Sequence, residues 1–439
     1  MKYYIHTFGC QMNVRDSDEM GEVLKKAGYE PALSPDEADL ILVNTCTVRQ
    51  KAVHKGVSAI GRYISLKKHK KGLVVGACGC YAQQAGGELL SEAKGVDLVF
   101  GPDAKHQVAE LAEERRRSRK QQVSTCLEGD QHLLDTTPSG RNAEGPAALV
   151  TIMKGCDNFC SFCVVPHVRG REVSRSPGDI VSEIRLLAEG GVRDVTLLGQ
   201  NVNSYGAGTG TEFPDLLDMI FAVEGIERVR FTTSHPKDLS AKLAERFGHK
   251  KLMPHIHLPV QAGSDTVLAR MNRKYTRGQY LEKVAMLRRF RPDVAITTDI
   301  IVGFPGETEA DFNATMSLVE VVAYDGAFSF KYSPRPGTAA ESMEDDVAPA
   351  EKSRRLAMLQ DLVQRIAVEK SRLLEGRTVP VLVEGVGRHG GQSSGRTPCN
   401  RVVNFSGDGC RVGDIVEVEL TQALAHSLLG RKARGGITG

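Results

Sequence analysis

Three cysteines within eight residues, Cys156, Cys160 and Cys163, stand as C-x3-C-x2-C in the run VTIMKGCDNFCSFCVVPHVRGREVSRSP, residues 150–177. Three closely spaced thiolates suit an iron–sulfur cluster; a structural zinc ordinarily recruits a fourth ligand close by, and His167 is the only candidate there. Three ligands on a four-iron cluster leave one iron open to a small molecule, which an electron carrier with every position filled does not need. The spacing therefore predicts catalysis, with a fragment of a zinc ribbon as the alternative. The chain holds ten cysteines in 439 residues. The opening MKYYIHTFGCQMN has neither the apolar block nor the small-residue cleavage site of a signal peptide, so a cytoplasmic protein with reduced thiols is expected, not a disulfide framework. Cys10, Cys46 and the pair Cys78 and Cys80 each follow a predicted strand. Cys126, Cys399 and Cys410 fit no cluster spacing and read as free thiols.

The elements that must position these thiols follow from hydrophobic periodicity. Apolar runs at 3–8, 40–44, 73–77 and 96–100 alternate with amphipathic stretches at 17–27, 51–66, 83–93 and 104–117, which predicts βα units stacked into an open parallel sheet. In such a sheet the functional loops lie at the C-terminal ends of the strands, where these cysteines fall. We place this first domain at 1–125 and a Pro- and Gly-containing linker at 126–147. The basic run RRRSRK before the linker suits either phosphate contact or a solvated helix end. Strand–helix alternation resumes with strands expected near 149–153, 194–198, 229–232, 255–258, 295–300 and 327–332. This predicts a complete or partial (β/α) barrel over 148–375, closed by an amphipathic helix at 349–374. Short β-like runs at 379–384, 401–405 and 414–420 predict a small β-barrel at 376–439, an architecture often used to bind RNA. The fold class is α/β with this β-barrel appended.

Charge and hydropathy narrow the partners. Lys and Arg number 57 against 54 Asp and Glu, a formal charge of +3, so any nucleic-acid surface is local. The basic surplus sits on the first and last domains and the middle is net acidic, which suits a polyanion held by its flanks. No run approaches the ~18 apolar residues of a membrane span, and no membrane partner is expected.

With Phe162 just before its last cysteine, CDNFCSFC resembles the radical S-adenosylmethionine signature. TFGCQMN around Cys10, NTCTVRQKA around Cys46 and GCYAQQ around Cys80 resemble the N-terminal domain of the methylthiotransferases within that superfamily. The resemblance implies two 4Fe–4S clusters. One is held by Cys156, Cys160 and Cys163 and binds S-adenosylmethionine to yield a 5′-deoxyadenosyl radical; an auxiliary one is held by Cys10, Cys46 and Cys80. Cys78 departs from the pattern, standing where a small non-ligand residue is expected. LLGQNVNSYG (197–206), HLPVQAGSD (257–265) and TDIIVGFPGET (298–308) resemble the family's strand-end motifs. Phe162, Gln200, Asn201, Gln261, Ser264 and Gly303 are the implied cofactor-side residues, with Gly306 also permitting close backbone approach. His255 and His257 read as core or hydrogen-bonding groups. GRTPCNRVVNF (395–405) and GDIVEVEL (413–420) resemble a TRAM domain, in which Arg396, Asn400, Arg401 and Phe405 are candidate contacts to phosphate or bases, Phe405 being equally suited to the barrel core.

The branch most resembled implies methylthiolation of carbon 2 of N6-isopentenyladenosine at position 37 of tRNA. One S-adenosylmethionine would methylate a sulfur on the auxiliary cluster and a second would generate the radical. The implied partners are the tRNA anticodon stem-loop carrying isopentenyladenosine, an electron donor and a sulfur or cluster-assembly donor. The alternatives are the branches acting on threonylcarbamoyl-adenosine in tRNA or on a ribosomal-protein aspartate, an iron–sulfur redox sensor that binds RNA without turnover, and a zinc-bound RNA-binding protein. No general acid or base is assigned.

Overall fold

The computed structural model describes residues 1–48, 50–127, 145–387, 391–406 and 409–437; most of the expected linker, 128–144, lies outside the described residues. The chain packs as two compact units. The first takes the N-terminal domain together with 153–157 and 163–175; the second takes 158–162 and the rest of the chain from 176 onward, together with 145–152.

In the first unit a six-stranded sheet runs in the order Glu30–Pro31, Lys2–Thr7, Leu40–Thr45, Val74–Gly79, Leu98–Phe100, Gln122–Ser124, every pair parallel. The two central strands, LILVNT and VVGACG, are buried at every residue, as parallel strands covered on both faces must be. Alternation sends Leu40, Leu42, Cys78 and Phe100 into one apolar layer with Met20, Leu24 and Val108. Ile41, Val43, Val75 and Val99 enter the other with Ile60 and Leu89. The short outermost strands were not anticipated, because two or three polar residues leave no periodic signal. Two helices also differ from expectation. The first begins at Gln11, directly after Cys10, and runs to Lys26. The expected helix at 83–93 is two, Cys80–Ala85 and Glu88–Glu92, parted at Gly86, whose φ of 53° is left-handed.

The second unit holds six parallel strands in two runs of three: Ala147–Thr151, Asp194–Leu198 and Arg228–Phe231, then His255–His257, Ala295–Val302 and Gly326–Lys331. This is the partial barrel expected. Its helices start where side chains satisfy orphan amides: Thr276 with Gln279 and Thr308 with Asp311 form reciprocal capping boxes. The helix Pro349–Arg372 opens on proline, whose missing N–H is no loss at that position.

The C-terminal module is a closed five-stranded barrel in the order Thr378–Val386, Gln392–Arg396, Val402–Ser406, Leu428–Ile437, Ile415–Ala423. Its core is Val381, Val383, Val403, Phe405, Val416, Val418, Leu420 and Leu428. QSSGR and LLGRKARGGI lack apolar alternation and were not foreseen as strands. Buried arginines tie the barrel to the six-stranded domain within the same unit. Arg228 donates to the carbonyls of Arg396 (2.8 Å) and Pro380 (3.0 Å). Arg230 donates to those of Pro398 (2.9 Å) and Thr397 (3.1 Å) while paired with Asp194 at 3.0 Å. No helix among the described residues is long and apolar enough to cross a membrane.

Candidate active site

Cys10, Cys46 and Cys80 follow three hydrogen-bonded neighbour strands of one parallel sheet, so their loops open at one edge. Cys10 is exposed, Cys46 and Cys80 buried. Asn13, fully buried on the first helix, gathers them. Its Nδ2 donates to the carbonyls of Phe8 (2.8 Å) and Thr45 (3.0 Å), fixing the loops of Cys10 and Cys46. Its Oδ1 lies 3.9 Å from Cys10 Sγ and 4.0 Å from Cys80 Sγ. Two glycines permit the approach. A Cβ on Gly9 would lie 2.5 Å from the Cβ of Cys46 and one on Gly79 would lie 2.2 Å from Asn44 Oδ1, both residues having positive φ. Asn13 and these glycines were not singled out in the sequence, although the dipeptide Gly-Cys, twice at a strand end, was a visible signal.

Gly79→Ala joins a left-handed φ of 87° to contact with the Thr45 carbonyl at 2.6 Å. We expect it to cost about 2–3 kcal/mol, read as a fall in the urea midpoint, and to lower iron bound per chain because Cys80 follows directly.

Cys78 and Cys80 occupy different environments. Cys78 Sγ lies in the apolar layer, 3.6 Å from the Val43 carbonyl, and burial pushes its thiol well above the ordinary range. Burial also pushes the Cys80 thiol up, to about 11, but the Arg169 guanidinium beside it acts in the opposite direction. Among the described residues no three His, Cys, Asp or Glu side chains are gathered tightly enough for a single metal ion. A four-iron cluster takes each thiolate on a separate iron and needs them spread around a larger body. Three cysteines in the loops of neighbouring strands at one sheet edge, with Cys10 and Cys46 both acting on the Cys80 thiol, suit that group.

Of the second triad, Cys156 and Cys160 are buried and Cys163 half-buried. The Cys156 amide donates to the Gly170 carbonyl at 3.2 Å. Around Cys160 the loop is held at three points: Asn272 Nδ2 donates to the Phe159 carbonyl (2.8 Å), Ser161 Oγ to that of Arg270 (2.8 Å), and the Ser161 amide to that of Met271 (3.1 Å). Arg273, fully buried, donates from Nη1 to Cys160 Sγ at 3.2 Å and from Nη2 to the Pro259 carbonyl at 2.8 Å. Phe162 stands edge-on to Phe304, ring centroids 6.5 Å apart.

The strand-end residues divide. Gln200 is half-buried after its strand. Gln261 has a φ of 71° and is pinned by its backbone between Asp299 and Ile301. At Gly303 a Cβ would meet Lys352 Cγ at 2.3 Å, and its amide donates to Glu307. A Cβ on Gly306 would overlap the Arg270 guanidinium. Asn201 donates to Asp238 at 2.8 Å and accepts from the His235 amide at 3.0 Å, while Ser264 Oγ donates to Asp311, so each is held by a partner within the protein. His255 and His257 both hydrogen-bond Thr297.

Sequence reasoning missed Ser234 and His235, in TTSHP after the third strand. They are 4% and 5% exposed, and Ser234 Oγ and His235 Nε2 have no hydrogen-bond partner among the described residues. His235 Nδ1 accepts from the Lys237 amide at 3.3 Å, and burial beside Arg273 lowers its pKa to about 2. The ring is therefore neutral with its proton on Nε2. Buried polar atoms are rarely left unpaired, and two at a strand-end mouth fit a polar small molecule such as S-adenosylmethionine. Beside them a cavity of about 330 Å³ is lined by Pro236, Lys237, Lys274, Tyr275, Gln279 and Lys283, among others.

On the barrel, Arg396 pairs with Glu384 at 3.2 Å and donates to Asn400, which sits at a turn with φ of 68°. Arg401 is paired with Asp325 at 2.7 Å. Phe405 is fully buried, a correction: alternation turns it inward with Val403, and no ring face is left for a base.

Residues 2–101 match the uncharacterized protein family UPF0004, 150–319 the radical SAM superfamily and 372–433 the TRAM domain. A relative from Geobacter metallireducens named tRNA-2-methylthio-N(6)-dimethylallyladenosine synthase is 50% identical over 433 residues, 98% of each chain. One of the same name from Geobacter sulfurreducens is 49% identical over 430 residues, 97% of this chain and 96% of that one. The chain belongs to the tRNA-2-methylthio-N(6)-dimethylallyladenosine synthase family. As a member of this radical S-adenosylmethionine family it uses one 4Fe–4S cluster and S-adenosylmethionine. The fold of this chain is similar to that of a solved radical S-adenosylmethionine methyltransferase, TsrM from Kitasatospora setae, at a TM-score of 0.60 and 14% identity over 90% of this chain and 77% of that one.

Proposed function

We propose that this chain methylthiolates carbon 2 of N6-isopentenyladenosine at position 37 of tRNA, giving 2-methylthio-N6-isopentenyladenosine. The observation that carries the reading is the placing of Cys10, Cys46 and Cys80 at one sheet edge around Asn13, in a chain half identical along its length to synthases of that name. Cys156, Cys160 and Cys163 would hold the radical cluster and Cys10, Cys46 and Cys80 a second 4Fe–4S cluster. Bound together with S-adenosylmethionine, these groups supply a hydrogen-abstracting radical and a transferable sulfur, chemistry that no side chain provides.

The residues of this chain do the positioning. Arg273 holds Cys160 by a charge-assisted bond and excludes water from it. The Nε2–H of His235 and the Ser234 hydroxyl offer hydrogen bonds to a polar ligand at the barrel mouth. Arg396, half exposed on the barrel, is a basic group available there to RNA phosphate. The protein would act in the cytoplasm on the anticodon stem-loop, with an electron donor and a sulfur or cluster-assembly donor supplied from outside the chain.

Mass analysis of tRNA nucleosides from a strain lacking this gene tests the reading. We expect 2-methylthio-N6-isopentenyladenosine to vanish, N6-isopentenyladenosine to accumulate, and the gene to restore the product. An unchanged level of the product, with loss of methylthiolation on threonylcarbamoyl-adenosine or on a ribosomal protein, would overturn it in favour of a sister branch.

A further inference from the structure

Arg169 is the last residue of the short helix Val165–Arg169, six residues past Cys163, and is 5% exposed. Its guanidinium faces the N-terminal cysteine site in the same compact unit. Nε donates to Cys80 Sγ at 3.3 Å, and Nη2 donates to Asn13 Oδ1 at 3.0 Å and to Asp16 Oδ2 at 2.7 Å. Val164 and Val168 of the same segment pack on Cys80 and exclude water from the contact.

The surrounding charges leave this cation available to the sulfur. Asp16 also accepts from Lys105 at 3.2 Å, and Glu19 is shared between Lys105 and Arg15. Asp16 and Asn13 take up Nη2 of Arg169, and Nε is left directed at Cys80. Asp16 is the anionic partner that a buried guanidinium requires, and a sulfur that has lost its proton to ligate a metal is a second acceptor, on Nε. Neither the radical triad nor the barrel mouth accounts for this residue.

We propose that Arg169 is a positioning residue of the N-terminal cysteine site, oriented by Asp16 and Asn13 to give a charge-assisted N–H···S hydrogen bond to Cys80 when that sulfur holds the second cluster. The assignment rests on the two-cluster reading above. Hydrogen bonds to ligand sulfurs are one of the levers on cluster potential. A donor bearing positive charge favours the more negative, reduced state, so Arg169 raises the midpoint potential of the second cluster. It also makes the segment that leaves the radical triad part of the second site.

The test uses full-length protein with Cys156, Cys160 and Cys163 changed to Ala, reconstituted without oxygen so that only the second cluster is present, and titrated potentiometrically with paramagnetic resonance detection. Adding Arg169→Gln should shift the midpoint to lower potential and alter the reduced-cluster spectrum. Arg169→Lys, which keeps the charge but not the Nε geometry, should shift it less. Asp16→Asn keeps an oxygen that can accept from Nη2, so with Asn13 it still holds the guanidinium on Cys80 while one negative charge is lost; it should leave the midpoint in place or raise it, and a fall like that of Arg169→Gln would overturn the proposal. If Arg169→Gln does not fold, Arg169→Lys decides. A midpoint and spectrum unchanged in the folded variants, against an iron-loaded parent, overturn the assignment alone. An iron-free parent overturns the two-cluster reading and the assignment with it.

Discussion

Protein with Cys156, Cys160 and Cys163 all changed to Ala is expected to form no 5′-deoxyadenosine and no methylthiolated nucleoside, while still binding iron and sulfide for one 4Fe–4S cluster. The loss should be complete to background, because the reductive cleavage of S-adenosylmethionine is cofactor chemistry and is assigned to the cluster that these three cysteines would hold. The fold should survive. The triad loop is fixed by hydrogen bonds that Ala keeps, from the Cys156 amide to Gly170, from the Ser161 amide to Met271 and from the Asn272 side chain to the Phe159 carbonyl. Each lost thiol should cost no more than about 1–2 kcal/mol. Iron, sulfide and zinc analysis with Mössbauer spectra on native and triple-Ala protein reads the outcome as two clusters against one. A triple-Ala protein with no cluster would remove the N-terminal cysteines from consideration as a cluster site and leave a single-cluster radical enzyme. Native protein, made and kept without oxygen, that carries zinc and no iron would return the chain to the zinc-bound alternative.

The parts of the site legible in the sequence are those whose signal is local. Cys156, Cys160 and Cys163 declare themselves by spacing, and Leu40–Thr45 and Val74–Gly79 by unbroken apolar runs that only a doubly covered strand tolerates. Residues whose role depends on a distant partner were opaque. Asn201 could have faced a ligand; it faces Asp238, 37 residues on. Ser264 is committed to Asp311, 47 residues on, and Arg401 to Asp325, 76 residues back. Arg169 is the extreme case, since its carboxylate partner Asp16 lies 153 residues away and its sulfur partner Cys80 lies 89 away. Phe405 failed for a different reason: in VVNF both assignments of the inward face bury an apolar residue, and the pairing of strands within the barrel decided which. Ser234 and His235 were visible as residue types, but a polar atom is marked by the absence of a partner only once everything around it is placed.

Changing Cys80 to Ala should remove the methylthiolated nucleoside while 5′-deoxyadenosine formation persists at least in part, and Cys10→Ala and Cys46→Ala should behave alike. On the reading proposed above, the first cluster and its cofactor chemistry would belong to other residues, and what would be lost is the place where sulfur is held for transfer. Cys78→Ala should do the reverse, keeping product and costing about 1–2 kcal/mol of stability, because a small buried group is deleted from a close-packed layer. The difference follows from what surrounds each sulfur. A thiolate needs a positive or donating neighbour, and Cys80 has Arg169 Nε at 3.3 Å. Cys78 instead lies among Leu42, Leu98 and Phe100 with the Val43 carbonyl as its contact, a lining that penalises the deprotonated form. To ligate, Cys78 would have to leave the layer that holds the first helix on the sheet, and stability would fall with loading. Paired measurements of nucleoside product, deoxyadenosine and urea midpoint on the two variants separate the cases. Full methylthiolation by Cys80→Ala together with its loss in Cys78→Ala would move the third ligand to Cys78 and would require the strand Val74–Gly79 to shift when the cluster is built.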